Sequence, residues 1–107
     1  ATAQENYLYV RSEYALVQIS LSEILLIESF ADYLDIQLTT GKKIKVRMTL
    51  KNMADKLPEK DFFRIHRSFI VPIKHINKVR NKKVFIADLE IPISPNYEVA
   101  FLKQYGQ

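Results

Sequence analysis

Residues 62–71 read FFRIHRSFIV, a run of Phe, Ile and Val interrupted by two arginines, a histidine and a serine. Taken as a strand, its period of 2 places Phe63 and Ile65 on one face and Phe62, Arg64 and His66 on the other. Carried further, the same alternation sends Arg67 into the core beside Ile65 and Phe69. Burying an unpaired guanidinium is too costly for that, so the strand must break or bulge at His66 to Ser68 and swing Arg67 outward. The reading is therefore two strands, 62–66 and 69–71, joined by a loop tip that presents an arginine. Ser68 is placed to bond the local backbone and hold the turn, and His66 to make a structural hydrogen bond.

The same alternation runs outward in both directions. Strands are expected at 7–11, 14–20, 24–29, 33–39, 42–48, 76–80, 83–87 and 89–93 besides the two already named. Thr40-Gly41 and Asn81-Lys82 each separate two alternating runs and read as hairpin turns. Two segments break the period. Thr49 can cap a helix from about Leu50 to Leu57 whose apolar face is Leu50, Met53, Ala54 and Leu57, with Pro58 ending it. Ser94 before Pro95 signals a second helix start, with Tyr97, Phe101 and Tyr105 following at spacing four. The expected fold is mainly β: an elongated antiparallel multi-sheet domain of about ten short strands, one short internal helix and one short C-terminal helix.

A chain of 107 residues has the size of one domain. It holds no run of 18 apolar residues, its first residues lack a signal-peptide pattern, and it contains no Cys, which together predict a cytoplasmic protein without a membrane span or disulfides. Starting at Ala1 rather than Met, it is expected to be a piece of a longer protein. The formal net charge of +4 hides an asymmetry: residues 42–83 hold 14 of the 16 Lys and Arg but three of the 12 acids, so that segment carries +11 and the remainder −7. A charge dipole of that size on one small domain points to a polyanionic partner.

Catalysis finds little support. His66 and His75 have no metal-ligand spacing between them, no thiol is present, and neither Gly41 nor Gly106 belongs to a phosphate-cradling loop. Glu28, Asp32 and Asp35 are the acids most open to notice, and Glu28 reads as part of a solvated or locally hydrogen-bonded face. The expectation is therefore a binding domain rather than an enzyme, with no metal and no cofactor. Three binding classes remain: duplex DNA, an anionic membrane surface, and a protein partner that engages exposed strand edges. An arginine at a strand break favours the first, since its rigid five-donor fork suits phosphate and guanine.

FFRIHRSFIV, followed by a short connector and HINKV, resembles the signature of the LytTR DNA-binding domain, the output domain of many bacterial two-component response regulators. ILLIES, YLDIQLTTGKKIKVRMTLKNMADKL and VFIADLEIPIS occur in the family's order and spacing, so the resemblance spans nearly the whole chain. It implies three sheets and loops that enter successive major grooves on one face of the duplex. Three loops carry the contacts in such domains: the one after the strand ending near Glu28, the one holding His66-Arg67-Ser68, and the one before the C-terminal helix. On that basis Arg67, Asn96 and Asp32 are the expected base contacts, with Asp32 an acceptor for cytosine N4. Lys42, Lys43, Lys45, Arg47, Arg64, Lys74 and Ser68 are the expected phosphate contacts. This chain departs from the family where basic residues usually follow Ser94, since Pro95-Asn96 stand there, and where Asn usually follows FIV, since Pro72 stands there and lacks a backbone donor. The resemblance further implies double-stranded DNA with direct repeats as the partner, a receiver domain N-terminal to this chain in the full protein, and a monomeric isolated domain.

Overall fold

The computed structural model describes residues 7–12, 14–58 and 61–105; Glu59 and Lys60 of the basic segment and Gly106 lie outside them. Among the described residues, ten strands form three antiparallel sheets. Strands β1 (Tyr7–Ser12) and β2 (Ala15–Ser20) make a two-stranded sheet. The central sheet has the order β5-β4-β3-β7-β6, from β3 (Ile24–Phe30), β4 (Tyr33–Leu38), β5 (Lys43–Val46), β6 (Phe62–His66) and β7 (Phe69–Pro72). The third sheet has the order β10-β9-β8, from β8 (Lys78–Arg80), β9 (Lys83–Ile86) and β10 (Leu89–Pro92). Helix α1 (Leu50–Lys56) and helix α2 (Pro95–Tyr105) complete the fold. The expected length is realised in two directions, giving a slab of 40 × 39 × 25 Å. No helix among the described residues is long and apolar enough to cross a membrane.

The central sheet is buried on both faces, which is why Phe62 and Phe63 are both apolar. One face packs Ile27, Leu34, Ile36 and Ile70 against Leu8, Val10 and Ile19 of the first sheet and Leu50, Met53 and Leu57 of α1. The other packs Leu26, Ile65 and Val71 against Val84, Ile86, Ile91 and Ile93 of the third-sheet region and Phe101 of α2. Phe62 joins the first cluster and Phe63 the second, as the alternation requires.

Local chemistry sets the ends of the elements. Thr49 Oγ1 accepts the Asn52 amide at 3.1 Å and caps α1. Helix α2 begins at the Ser94 carbonyl, which accepts the Tyr97 and Glu98 amides at 2.9 and 3.0 Å. Phe101 is fully buried, edge-on to Phe63 at 5.4 Å and stacked on Tyr105 at 5.5 Å. Asn81 and Lys82 have φ of 52° and 61° between the paired residues Arg80 and Lys83, a two-residue hairpin of the twist that antiparallel strands favour. Gly41, at φ 96°, turns β4 into β5.

Several expected strands are shorter. Tyr14, at φ 67°, turns the chain and delays β2 to Ala15. The run expected at 76–80 begins only at Lys78, because Ile73–His75 form a 3-10 turn closed by the Ile76 amide on the Ile73 carbonyl. The run expected at 42–48 is paired only over Lys43–Val46, after which the chain leaves the sheet towards the Thr49 cap.

Candidate nucleic-acid interface

Strand β6 ends at His66 and β7 starts at Phe69, so Arg67 and Ser68 form the turn and Arg67 is exposed. The pairing of β6 with β7 shifts register between Arg64 and His66, placing the bulge at Ile65 rather than within 66–68. The bulge keeps Ile65 fully buried while freeing Arg67. The Ser68 amide donates to His66 Nδ1 at 3.1 Å, which fixes that ring nitrogen as an acceptor and bears out the structural role expected of His66. The His66 ring also lies edge-on to Phe69 at 5.3 Å. Ser68 holds the turn as expected and does so through its main chain, since the Ser68 carbonyl also accepts the Ser29 amide at 2.8 Å.

Those backbone bonds gather the three loops at one end of the central sheet. Ser29 precedes the β3–β4 turn, Ala31-Asp32, where Ala31 has φ 56°. On the other side, the Ser94 amide donates to the Ile65 carbonyl at 2.8 Å, tethering the approach to α2 beside the same turn. Asn96, in the first turn of α2, is exposed. An open basin of about 630 Å³ is lined by Asp32, Arg47, Lys51, Arg64 and Arg67 together with Ser29 and the Met48–Leu50 stretch. Four cations face one acid there, a composition suited to an anionic ligand. Lys45 and Arg47 both lie over the Tyr33 ring, at 5.5 and 5.8 Å, which orders their charged heads at the same end.

The remaining sequence-predicted residues are elsewhere or otherwise engaged. Lys42 and Lys43 flank the β4–β5 turn at the opposite end, since Lys43 pairs with Gln37 while Leu34 pairs with Val46. The length of β4 separates the two ends by roughly 17 Å. Lys74 is also at that far end, in the 3-10 turn after β7, where the Ile73 amide bonds the Asp61 carbonyl at 2.9 Å. Arg64 is half-buried and bonds its own loop: Nε donates to the His66 carbonyl at 3.4 Å and Nη2 to the Arg67 carbonyl at 3.0 Å.

Two cationic features of the loop end escaped the sequence reading. Lys51, exposed on α1, lines the basin. The β8–β9 turn brings Arg80 and Lys82 nearby, because the Ile93 amide donates to the Lys82 carbonyl at 2.9 Å and the next residue, Ser94, is bonded to Ile65. The Arg80-Asn81-Lys82-Lys83 block was visible as a basic hairpin, but its place beside the other loops depends on sheet packing that no local pattern encodes.

In Bacillus subtilis (strain 168), the transcriptional regulatory protein NatR is 47% identical over 38 residues, which is 36% of this chain and only 16% of NatR. Among solved structures, the LytTr DNA-binding domain of a methyl-accepting/DNA response regulator from Bacillus cereus superposes with a TM-score of 0.80 at 19% identity, covering 97% of this chain and 100% of that one. That likeness establishes the three-sheet fold. The profile of the LytTr DNA-binding domain matches residues 14–106. With the matched span covering most of its length, the chain belongs to the LytTR family of DNA-binding domains.

Proposed function

We propose that this domain reads specific sequences in double-stranded DNA as the output domain of a bacterial two-component response regulator, with its loops inserted in successive major grooves. The observation that carries the reading is Arg67, exposed at a turn whose backbone is fastened by His66, Arg64 and Ser29 beside a cationic basin. A bidentate arginine on guanine O6 and N7 needs that kind of preset direction. Asn96 and Asp32 flank it, as a donor-acceptor pair for adenine and an acceptor for cytosine. Phosphate contacts fall to Lys45, Arg47 and Ser68, with Lys51, Arg80 and Lys82 added by the geometry. Lys42, Lys43 and Lys74, at the far end, contribute to the attractive field rather than to the loop interface.

In the full-length regulator a receiver domain stands N-terminal to this chain and brings two copies onto direct repeats in the cytoplasm; the isolated domain is a monomer. Selection from a pool of random duplexes at about 150 mM salt, where phosphate attraction is weakened, tests the reading. Enrichment of a motif, repeated about one helical turn apart, is the expected result. Retention without enrichment would leave a basic surface with no base readout and overturn it.

A further inference from the structure

Arg64, at the loop end, turns its guanidinium back onto main-chain carbonyls of its own loop, and its partners are informative. Its Nε and Nη2 reach the carbonyls of two consecutive residues, His66 and Arg67, at 3.4 and 3.0 Å. Its Cζ lies 5.6 Å from the centre of the Tyr97 ring, in the first turn of α2. Arg64 lines both an apolar cleft of about 300 Å³, with Ala54, Leu57, Phe62, Phe63 and Ile70, and the cationic basin. We infer that Arg64 and Tyr97 form a positioning brace that sets the shape of the Arg67 turn, so that α2 takes part in base discrimination without Arg64 itself serving as a phosphate contact.

Three physical points support the brace. A planar fork bridging the carbonyls of His66 and Arg67 fixes both peptide planes that flank Arg67. Stacking on an aromatic face holds the plane of the guanidinium, and partial removal from water strengthens that contact. Tyr97 is in turn fixed in place, because Phe101 anchors α2 on Phe63, the residue adjacent to Arg64. The other side of the turn is held by the Ser68 amide on His66 Nδ1 and the Ser29 amide on the Ser68 carbonyl. Arg67 therefore sits between two fastened halves, and the half fastened by Arg64 is the one that a helix can move.

The inference rests on Arg67 being the base-contacting residue, and two measurements keep its failure separate from a failure of that reading. In the free domain, Arg64→Lys, which keeps the charge but lacks the rigid planar fork, should speed hydrogen exchange of the Ser68 amide about tenfold while Ile27 and Ile70 stay protected. Tyr97→Leu should do the same and Tyr97→Phe should not. Unchanged exchange at Ser68 in Arg64→Lys and Tyr97→Leu overturns the brace whether or not DNA is read. On DNA, Arg64→Lys and Tyr97→Leu should lose about tenfold in affinity for the selected duplex, with affinity for a scrambled duplex and the salt slope unchanged. If Arg64→Lys binds as wild type while Arg64→Ala weakens both duplexes alike and lowers the slope by about 0.9, Arg64 is a phosphate contact and the brace is wrong. A wild-type domain with no preference among duplexes would instead fail the functional reading.

Discussion

The two ends of the central sheet are both basic, yet they hold their cations differently. At the loop end, Arg64 is bonded to two carbonyls and lies over Tyr97, Lys45 and Arg47 lie over Tyr33, and the Arg67 turn is fastened by His66 and Ser29. At the far end, Lys42 and Lys74 are exposed on turns and Lys43 at the start of β5, and none has an ion-pair or aromatic partner among the described residues. Net positive charge attracts a polyanion from either end. Only cations whose direction is fixed before binding avoid much of the side-chain ordering cost and discriminate between geometries. Charge alone therefore marks a partner class, and immobilisation of charge is what distinguishes the loop end, the face proposed to read.

The largest expected effect comes from undermining the support of the loop end. Phe101→Ala removes the fully buried ring that ties α2 to Phe63 and should cost about 3–5 kcal/mol of stability in a denaturant titration. A much smaller loss would mean that α2 is not integral to the loop end, and the contrast between the ends would weaken. Next in size, Arg67→Ala should cost about 1–3 kcal/mol in binding to the selected duplex with the unfolding midpoint unchanged, because the side chain is exposed and supports nothing. Equal affinity of the variant and wild type for that duplex would remove Arg67 from the base-contact set.

Much of the loop end was legible in the sequence because it follows from local prohibitions. Arg67 cannot enter the core, so FFRIHRSFIV had to break, and it does so at the Arg67-Ser68 turn, with a bulge at Ile65 just before it. The α1 cap at Thr49 and the turn at Asn81-Lys82 were likewise local signals. Where several chemical solutions serve one purpose, the sequence left the choice open: Ser68 offered a hydroxyl for the turn, but its amide and the His66 ring were used. The division of the lysines between two ends was hidden for a different reason. Period-2 alternation assigns a side chain to a face of the sheet and is silent about which end of the strand lies near another loop, so Lys43 and Lys45 looked equivalent although they are two residues apart on one short strand.

That distinction supplies a sharper test of the two ends. Replacing Lys45 and Arg47 together by Gln should lower the salt slope of binding by about 1–2 units on any duplex, as two phosphate contacts are lost. The same exchange at Lys42 and Lys43 should leave the slope nearly unchanged and reduce only the association rate at low salt. Equal slope changes from the two pairs would erase the difference between the ends.

The smallest effect separates charge from backbone within a single residue. Lys82 combines a left-handed φ of 61° with a place beside the loop end, so its conformation and its charge make opposite demands. A side chain in that region is disfavoured relative to glycine, and the two-residue hairpin with both φ values positive prefers glycine at its second position. Lys82→Gly should therefore raise stability by about 0.5–1 kcal/mol. It should also lower the salt slope by about 0.9 if the ammonium meets a phosphate. A stabilised domain with an unchanged slope would place Lys82 with the far-end lysines in function despite its position, whereas a stabilised domain that binds all duplexes more weakly would explain why a strained lysine stands where a glycine fits better.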